Sequence, residues 1–229
     1  MALRIGAVAV AMLLFGAAAA SGGEIERLPT RKKLVALTFD GGDNAGGAPL
    51  ILRVLARKHA TATFFVTGRW VLRYPRLARA IGKRYPVGNH TWDHADLTHL
   101  SSADVRKEIL RGGFWVRAGT SRNPRPLFRF PYGASDGRTL AIVRSLGYAS
   151  VRWSVDTWGW MGPSAGQSTA TVVHRFAAGL EPGAVVLMHL GVARDGSLLD
   201  AHALPAVIDL ARRRGYRFVT LDHWVHAPR

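Results

Sequence analysis

The feature that most limits the fold of this chain is a regular alternation of short apolar, β-rich runs with segments of helical period. Leu34–Phe39, Ala62–Val66, Val87–Asn89, Leu127–Phe130, Ala149–Val155, Ala184–Leu190 and Arg217–Thr220 read as seven strands. Between them, helical spacing covers Leu50–Lys58, Leu77–Lys83, roughly Ala103–Ala118, Arg138–Leu146, Thr169–Leu180 and Leu204–Arg214. Strands alternating with helices predict parallel βα units. Ser101 with Asp104 three residues on predicts a helix start, and Gly147 and Gly215 predict two helix ends. The pattern fits a closed barrel and an open doubly wound sheet alike, but no phosphate loop or dinucleotide fingerprint follows the first strand. In both architectures the chemistry collects at the C-terminal ends of the strands.

The first 20 of the 229 residues stand outside this alternation. Arg4, an apolar run from Ile5 to Ala20 and the small residues Ala18-Ala19-Ala20-Ser21 predict a secretory signal cleaved near Ala20, with an uncleaved anchor as the alternative. Residues 21–33 are expected to be a linker and 34–229 one folded domain. The chain has no cysteine, so a disulfide framework and a thiolate zinc site are excluded, and a metal must be held by His, Asp or Glu. The formal net charge of +16 draws the protein toward polyanions. The cations are spread along the chain, as in Arg31-Lys32-Lys33 and Arg212-Arg213-Arg214, and no recognition motif accompanies them, so no specific nucleic acid is expected.

Polar residues stand where the strands stop. The first ends in Thr38-Phe39-Asp40-Gly41-Gly42-Asp43, and the third runs into His90-Thr91-Trp92-Asp93-His94. Two histidines at i and i+4 face one way if that stretch is helical, and neutral imidazoles suit zinc and similar metals. The fourth leads into Arg129-Phe130-Pro131-Tyr132-Gly133, the fifth into Asp156-Thr157-Trp158-Gly159-Trp160, and the sixth ends Leu187-Met188-His189. Singly, each reads as a turn aspartate, a surface histidine pair or a core histidine. Jointly they bring Asp, two His, Arg, Asp and His to the converging ends of five strands.

These blocks, in this order, resemble the polysaccharide deacetylase family (NodB-homology domain, carbohydrate esterase family 4) over about residues 34–221. The resemblance implies an α/β fold: a distorted (β/α) barrel with about seven parallel strands. It implies metal-assisted hydrolysis of the acetamide of an N-acetylated amino sugar. Asp40 then corresponds to the general base, His90 and His94 to metal ligands, and Arg129 to the residue orienting the base. The backbone N–H of Tyr132 corresponds to an oxyanion donor and His189 to the general acid. Leu187, Trp160, Trp158 and Pro131 would line the substrate pocket. Two blocks depart from the family pattern. Gly41 stands where a metal-binding aspartate is usual, which makes Asp43 the candidate replacement. Gly159 stands where an aspartate tuning the acid is usual, which makes Asp156 the nearest substitute and Asp93 a lesser one.

The expected cofactor is a divalent metal, zinc first, with cobalt or manganese as alternatives. Export and positive charge favour peptidoglycan as the polysaccharide substrate, ahead of chitin oligomers or another exopolysaccharide. A monomer in the cell envelope or outside the cell is expected, with no membrane contact beyond the signal segment. The competing expectation, motivated by Gly41 and Gly159, is a catalytically impaired homologue that binds glycan without cleaving it.

Overall fold

A computed structural model describes residues 23–226. The expected signal segment lies outside them. Among the described residues, eight short strands, β1 (Leu34–Gly41), β2 (Thr63–Val66), β3 (Val87–Asn89), β4 (Leu127–Phe128), β5 (Ala149–Ser150), β6 (Val155–Asp156), β7 (Ala184–His189) and β8 (Arg217–Phe218), form one sheet. Its order is β5-β4-β3-β2-β1-β7-β6, with β8 paired to β1, and all its ladders are parallel. The fifth expected strand is thus two strands, β5 and β6, at opposite edges of the sheet. Only Val151–Ser154 joins them, so the edges must curl toward each other, and the result is a distorted (β/α) barrel.

Among the described residues, seven α-helices lie between the strands: α1 (Ala48–Arg57), α2 (Gly68–Arg73), α3 (Pro75–Arg84), α4 (Ser102–Thr120), α5 (Gly137–Ser145), α6 (Thr169–Gly179) and α7 (Leu199–Arg213). Ser101 caps α4 as expected, its Oγ accepting the Asp104 N–H at 3.2 Å. Two helical segments escaped the periodicity. α2 has only six residues and starts at a Thr67 cap. α7 begins five residues before the expected Leu204 and carries Pro205 in its interior, whereas a proline ordinarily marks a first turn.

Strand β1 is buried along its whole length. Val35, Leu37 and Phe39 pack on the helical layer with Ile51, Leu55, Val207 and Ile208. On the alternate face Ala36 joins Phe65, Leu127, Val151 and Val185 in a second cluster. Each large side chain so buried contributes roughly 1.5–3 kcal/mol. Phe39 and Phe64 add a stacked contact at 5.4 Å.

The stretch expected to be a linker is part of this fold. Ile25 bridges Val151 in parallel, and Arg27 bridges Ala184 antiparallel. Leu28 is buried, and its N–H donates to Gly183 O at 2.8 Å. Glu24 accepts hydroxyl hydrogen bonds from Ser135 and Ser150, each at 2.6 Å. A short N-terminal strap therefore crosses the seam between β5 and β6.

Candidate active site

The strand ends open into a cavity of about 570 Å³ lined by, among others, Asp40, His90, His94, Tyr132, Asp156 and His189. Asp40 leaves β1 on its barrel face, beside His189 at the end of β7, with which it pairs in register. Arg129 follows β4 and is buried completely. Its guanidinium is held on four sides: Nε donates to Val151 O at 3.1 Å and Nη2 to Arg152 O at 3.1 Å. Nη1 donates to Thr38 Oγ1 at 2.8 Å and to Asp40 Oδ1 at 2.7 Å. The ring of Phe65 lies 4.1 Å from the guanidinium carbon. Burial opposes the charge on Asp40, but Arg129, His90 and His189 outweigh it, and the carboxyl titrates below its ordinary range.

The two histidines of the third block meet by a different route from the expected one. Residues 90–94 form a loop, not a helix. Thr91 and His94 take left-handed backbone, with φ of 69° and 71°. The loop is pinned by Glu108 of α4, whose Oε2 accepts the N–H groups of Trp92 at 3.1 Å and Asp93 at 3.2 Å. The imidazoles then meet edge to face with centroids 4.8 Å apart. His90 Nδ1 lies 2.8 Å from Arg129 O. A carbonyl only accepts, so Nδ1 carries the proton and Nε2 presents a lone pair, 3.6 Å from Asp40 Oδ2. Burial lowers the pKa of His90, and burial followed by the charge of His90 lowers that of His94 to about 3. Both rings are therefore neutral near pH 7.

Two neutral imidazoles are the donor chemistry a borderline divalent metal takes. Among the described residues, no group of three His, Cys, Asp or Glu side chains stands together as a metal shell. Asp43 lines the cavity but is exposed at its rim, with Asn44 Nδ2 3.5 Å from its Oδ2. An added Cβ at Gly42 would meet His94 Cδ2 at 2.9 Å, so glycine there permits the close approach of the ring. One at Gly41 would instead meet Leu190, Val66 and Trp70.

Tyr132 sits at the cavity mouth, 71% exposed, with a left-handed φ of 58° and its ring 4.6 Å from that of His94. Of six non-glycine residues with positive φ among those described, four (Thr91, His94, Tyr132 and Trp158) lie in these strand-end loops. Such backbone is costly and collects at functional sites. Leu187 and Trp160 line the cavity, and the Trp160 ring lies 6.1 Å from that of His189. Pro131 and Trp158 are not on its wall. Pro131 is buried, and the face of Trp158 is covered by Arg175 at 3.3 Å.

The carboxylate nearest the His189 ring is neither Asp156 nor Asp93. Asp156 lines the cavity, but its Oδ1 accepts the Trp158 N–H at 3.0 Å. Asp93 also lines the cavity, with its N–H on Glu108 Oε2 at 3.2 Å, but no oxygen of it comes within 4.0 Å of a His189 nitrogen. Asp200, in the first turn of α7, has Oδ2 3.7 Å from His189 Nδ1. Sequence spacing hid it, because it lies in the helical turn before Pro205 that the periodicity omits. Burial disfavours charge on His189, but Asp200, Asp40 and Asp156 together outweigh it and raise its pKa.

Three comparisons bear on this arrangement. The polysaccharide deacetylase family model matches residues 27–151. A peptidoglycan-N-acetylglucosamine deacetylase of Listeria monocytogenes is 36% identical over 200 residues, which is 87% of this chain and 40% of that protein. The chain thus spans well under half of that relative's length. A chitooligosaccharide deacetylase of a Bradyrhizobium species is 34% identical over 192 residues, covering 80% of this chain and 86% of that one. The solved structure of a carbohydrate esterase family 4 pseudoenzyme from Bacillus anthracis matches with a TM-score of 0.80 at 28% identity, over 89% of this chain and 69% of that one.

Proposed function

The chain belongs to the polysaccharide deacetylase family, and on that premise we propose that it hydrolyses the acetamide of N-acetylated amino sugars in a cell-envelope glycan, peptidoglycan first. One observation carries the reading: an ionised carboxylate, two neutral imidazoles and a histidine of raised pKa meet in one cavity. Amide hydrolysis needs such a base and such an acid.

Asp40, kept ionised by Arg129, takes a proton from water as its oxygen attacks the acetyl carbonyl carbon. The backbone N–H of Tyr132 is the oxyanion donor for the resulting tetrahedral species. The C–N bond then breaks, His189 gives its proton to the departing amine, and acetate and a free amino sugar remain. Leu187 and Trp160 hold the acetyl end, and the exposed rings of Tyr132 and Trp160 offer stacking surfaces to neighbouring sugars. His90 and His94, with Asp43 as the third donor, would hold a divalent metal, zinc first, which when bound polarises the acetyl carbonyl.

The substrate preference follows from charge. At +16 the protein is drawn to polymers bearing carboxylates and phosphates, whereas chitin oligomers are neutral. The site of action is then the cell envelope or the exterior.

The test is acetate release by the purified chain, stripped of metal, from peptidoglycan and from chitin oligomers with and without added Zn²⁺. Metal-dependent acetate from peptidoglycan supports the reading. Binding of glycan with no acetate from either polymer, metal present, would replace it with the impaired, glycan-binding homologue. The incomplete donor group and the pseudoenzyme among the similar structures make that the second reading.

A further inference from the structure

We infer that Asp200 is the positioning carboxylate for His189, delivered from the first turn of α7 into the space left open by the missing side chain at Gly159. An added Cβ at Gly159 would land on the Asp200 carboxylate, with the Asp200 backbone N 3.0 Å away. The two positions therefore compete for one volume, and a carboxylate reaches it from α7 only because residue 159 has no side chain. Asp200 is 4% exposed, and both its oxygens are engaged. Oδ1 accepts the Thr157 hydroxyl at 2.7 Å, and Oδ2 accepts the His189 backbone N–H at 2.9 Å. The carboxylate is thus fixed to the backbone of the residue whose ring it serves. Its place in the first turn of α7 favours negative charge.

The ring of His189 has one shielded nitrogen. Nδ1 is out of solvent and makes no hydrogen bond, and the Asp200 oxygen at 3.7 Å is its near acceptor. Closing that gap by about 0.8 Å would bring it to hydrogen-bond length. A carboxylate there holds the neutral ring's proton on Nδ1 and leaves Nε2 as the nitrogen that gains and gives a proton. In the proposed reaction Nε2 gives its proton to the amine as the C–N bond breaks, and the ring returns to the neutral Nδ1–H form. That last step rests on the deacetylase reading, while the tautomer rests on geometry alone.

Two measurements test the inference and separate it from that reading. The first is the ¹⁵N shift pattern of the His189 ring in the full chain. The expected result is an Nδ1–H tautomer in the parent that is lost in Asp200→Asn. An unchanged tautomer overturns the inference whether or not the chain releases acetate. The second is a carboxylate exchange scored by acetate release from peptidoglycan. Asp200→Gly should lower kcat by roughly 10–100-fold with KM nearly unchanged. Gly159→Asp alone should also lower it, because two carboxylates then contend for one volume. Combining Gly159→Asp with Asp200→Gly should recover at least about tenfold of the loss. A folded double variant no more active than Asp200→Gly would overturn the inference. If Asp200→Gly does not fold, recovery of folding and turnover in the double variant still supports it, and a folded, inactive double variant refutes it. A parent that releases no acetate removes the deacetylase reading and leaves the tautomer to decide Asp200.

Discussion

Arg129 Nη1 stands 2.7 Å from Asp40 Oδ1 with both side chains out of solvent, and the same nitrogen donates to Thr38 Oγ1 from two residues earlier on β1. The ion pair joins strand β1 to the residue that follows β4, across the barrel. It also gives the candidate base its charge. Removing the guanidinium while keeping bulk, as in Arg129→Met, leaves a carboxylate buried beside two carbonyls, those of Val151 and Arg152, that lose their donor. The variant should lose roughly 3–5 kcal/mol of stability in urea unfolding at pH 7. Surviving folded protein should release acetate only at higher pH, because Asp40 then titrates upward. A loss below about 1 kcal/mol would show that water replaces the guanidinium at little cost.

The histidines divide the pH range between them. His94, and with it His90, is neutral in the folded protein, and its folded pKa of about 3 lies below the ordinary histidine value of 6.5. Between those values the unfolded chain binds more protons, so metal-free protein should lose stability as pH falls from 6.5 toward 3. The slope from His94 is up to about 1.4 kcal/mol per pH unit. Asp40, with a depressed pKa, adds to the loss below 3.8. His189 works the other way. Its folded pKa is raised, so its contribution is complete below 6.5 and fades as pH rises through the folded value. Urea midpoints of chelator-treated protein should therefore peak near pH 6.5. A flat profile from pH 4 to 6.5 would mean that water reaches His94 in solution.

Where the sequence was legible, the reason is that periodicity and strand ends are local. β1, β2, β3 and β7 fall within two residues of their expected bounds, and Asp40, Arg129 and His189 stand at three strand ends because apolar runs stop there. What escaped depends on contacts far along the chain. No local pattern distinguishes one strand over 149–155 from two strands at opposite edges, because their partners, β4 and β7, decide. The approach of His90 and His94 is set by left-handed turns and by Glu108, not by i,i+4 spacing. Asp200 was hidden as well: the expected helix starts at Leu204, past the turn that carries it.

Gly42 permits the close approach of His94 to the end of β1. The ring is already bracketed by the His90 ring at 4.8 Å and the Tyr132 ring at 4.6 Å. A methyl group 2.9 Å from Cδ2 would push it from this position. Gly42→Ala should keep the fold, weaken zinc binding in a chelator competition, and lower kcat/KM by about 10–100-fold. Unchanged zinc affinity would remove His94 from the ligand set.

Glu24 should influence the site without touching it. Its carboxylate accepts the hydroxyls of Ser135 and Ser150 and lies 3.9 Å from Arg152 Nη1. Ser150 and Arg152 also hold the strap through Ile25 N to Ser150 O at 2.9 Å and Arg152 N to Ile25 O at 2.8 Å. The carbonyls of Val151 and Arg152 in that same segment receive Arg129 Nε and Nη2. A chain of contacts thus runs from the strap through the barrel seam to Arg129 and Asp40. Glu24→Ala leaves the two hydroxyls unpaired and should cost about 1–3 kcal/mol. If the seam transmits the change, kcat falls while KM holds, and the effects of Glu24→Ala and Arg129→Lys on turnover are less than additive. Full additivity, with the stability loss present, would confine the strap to holding the barrel shut.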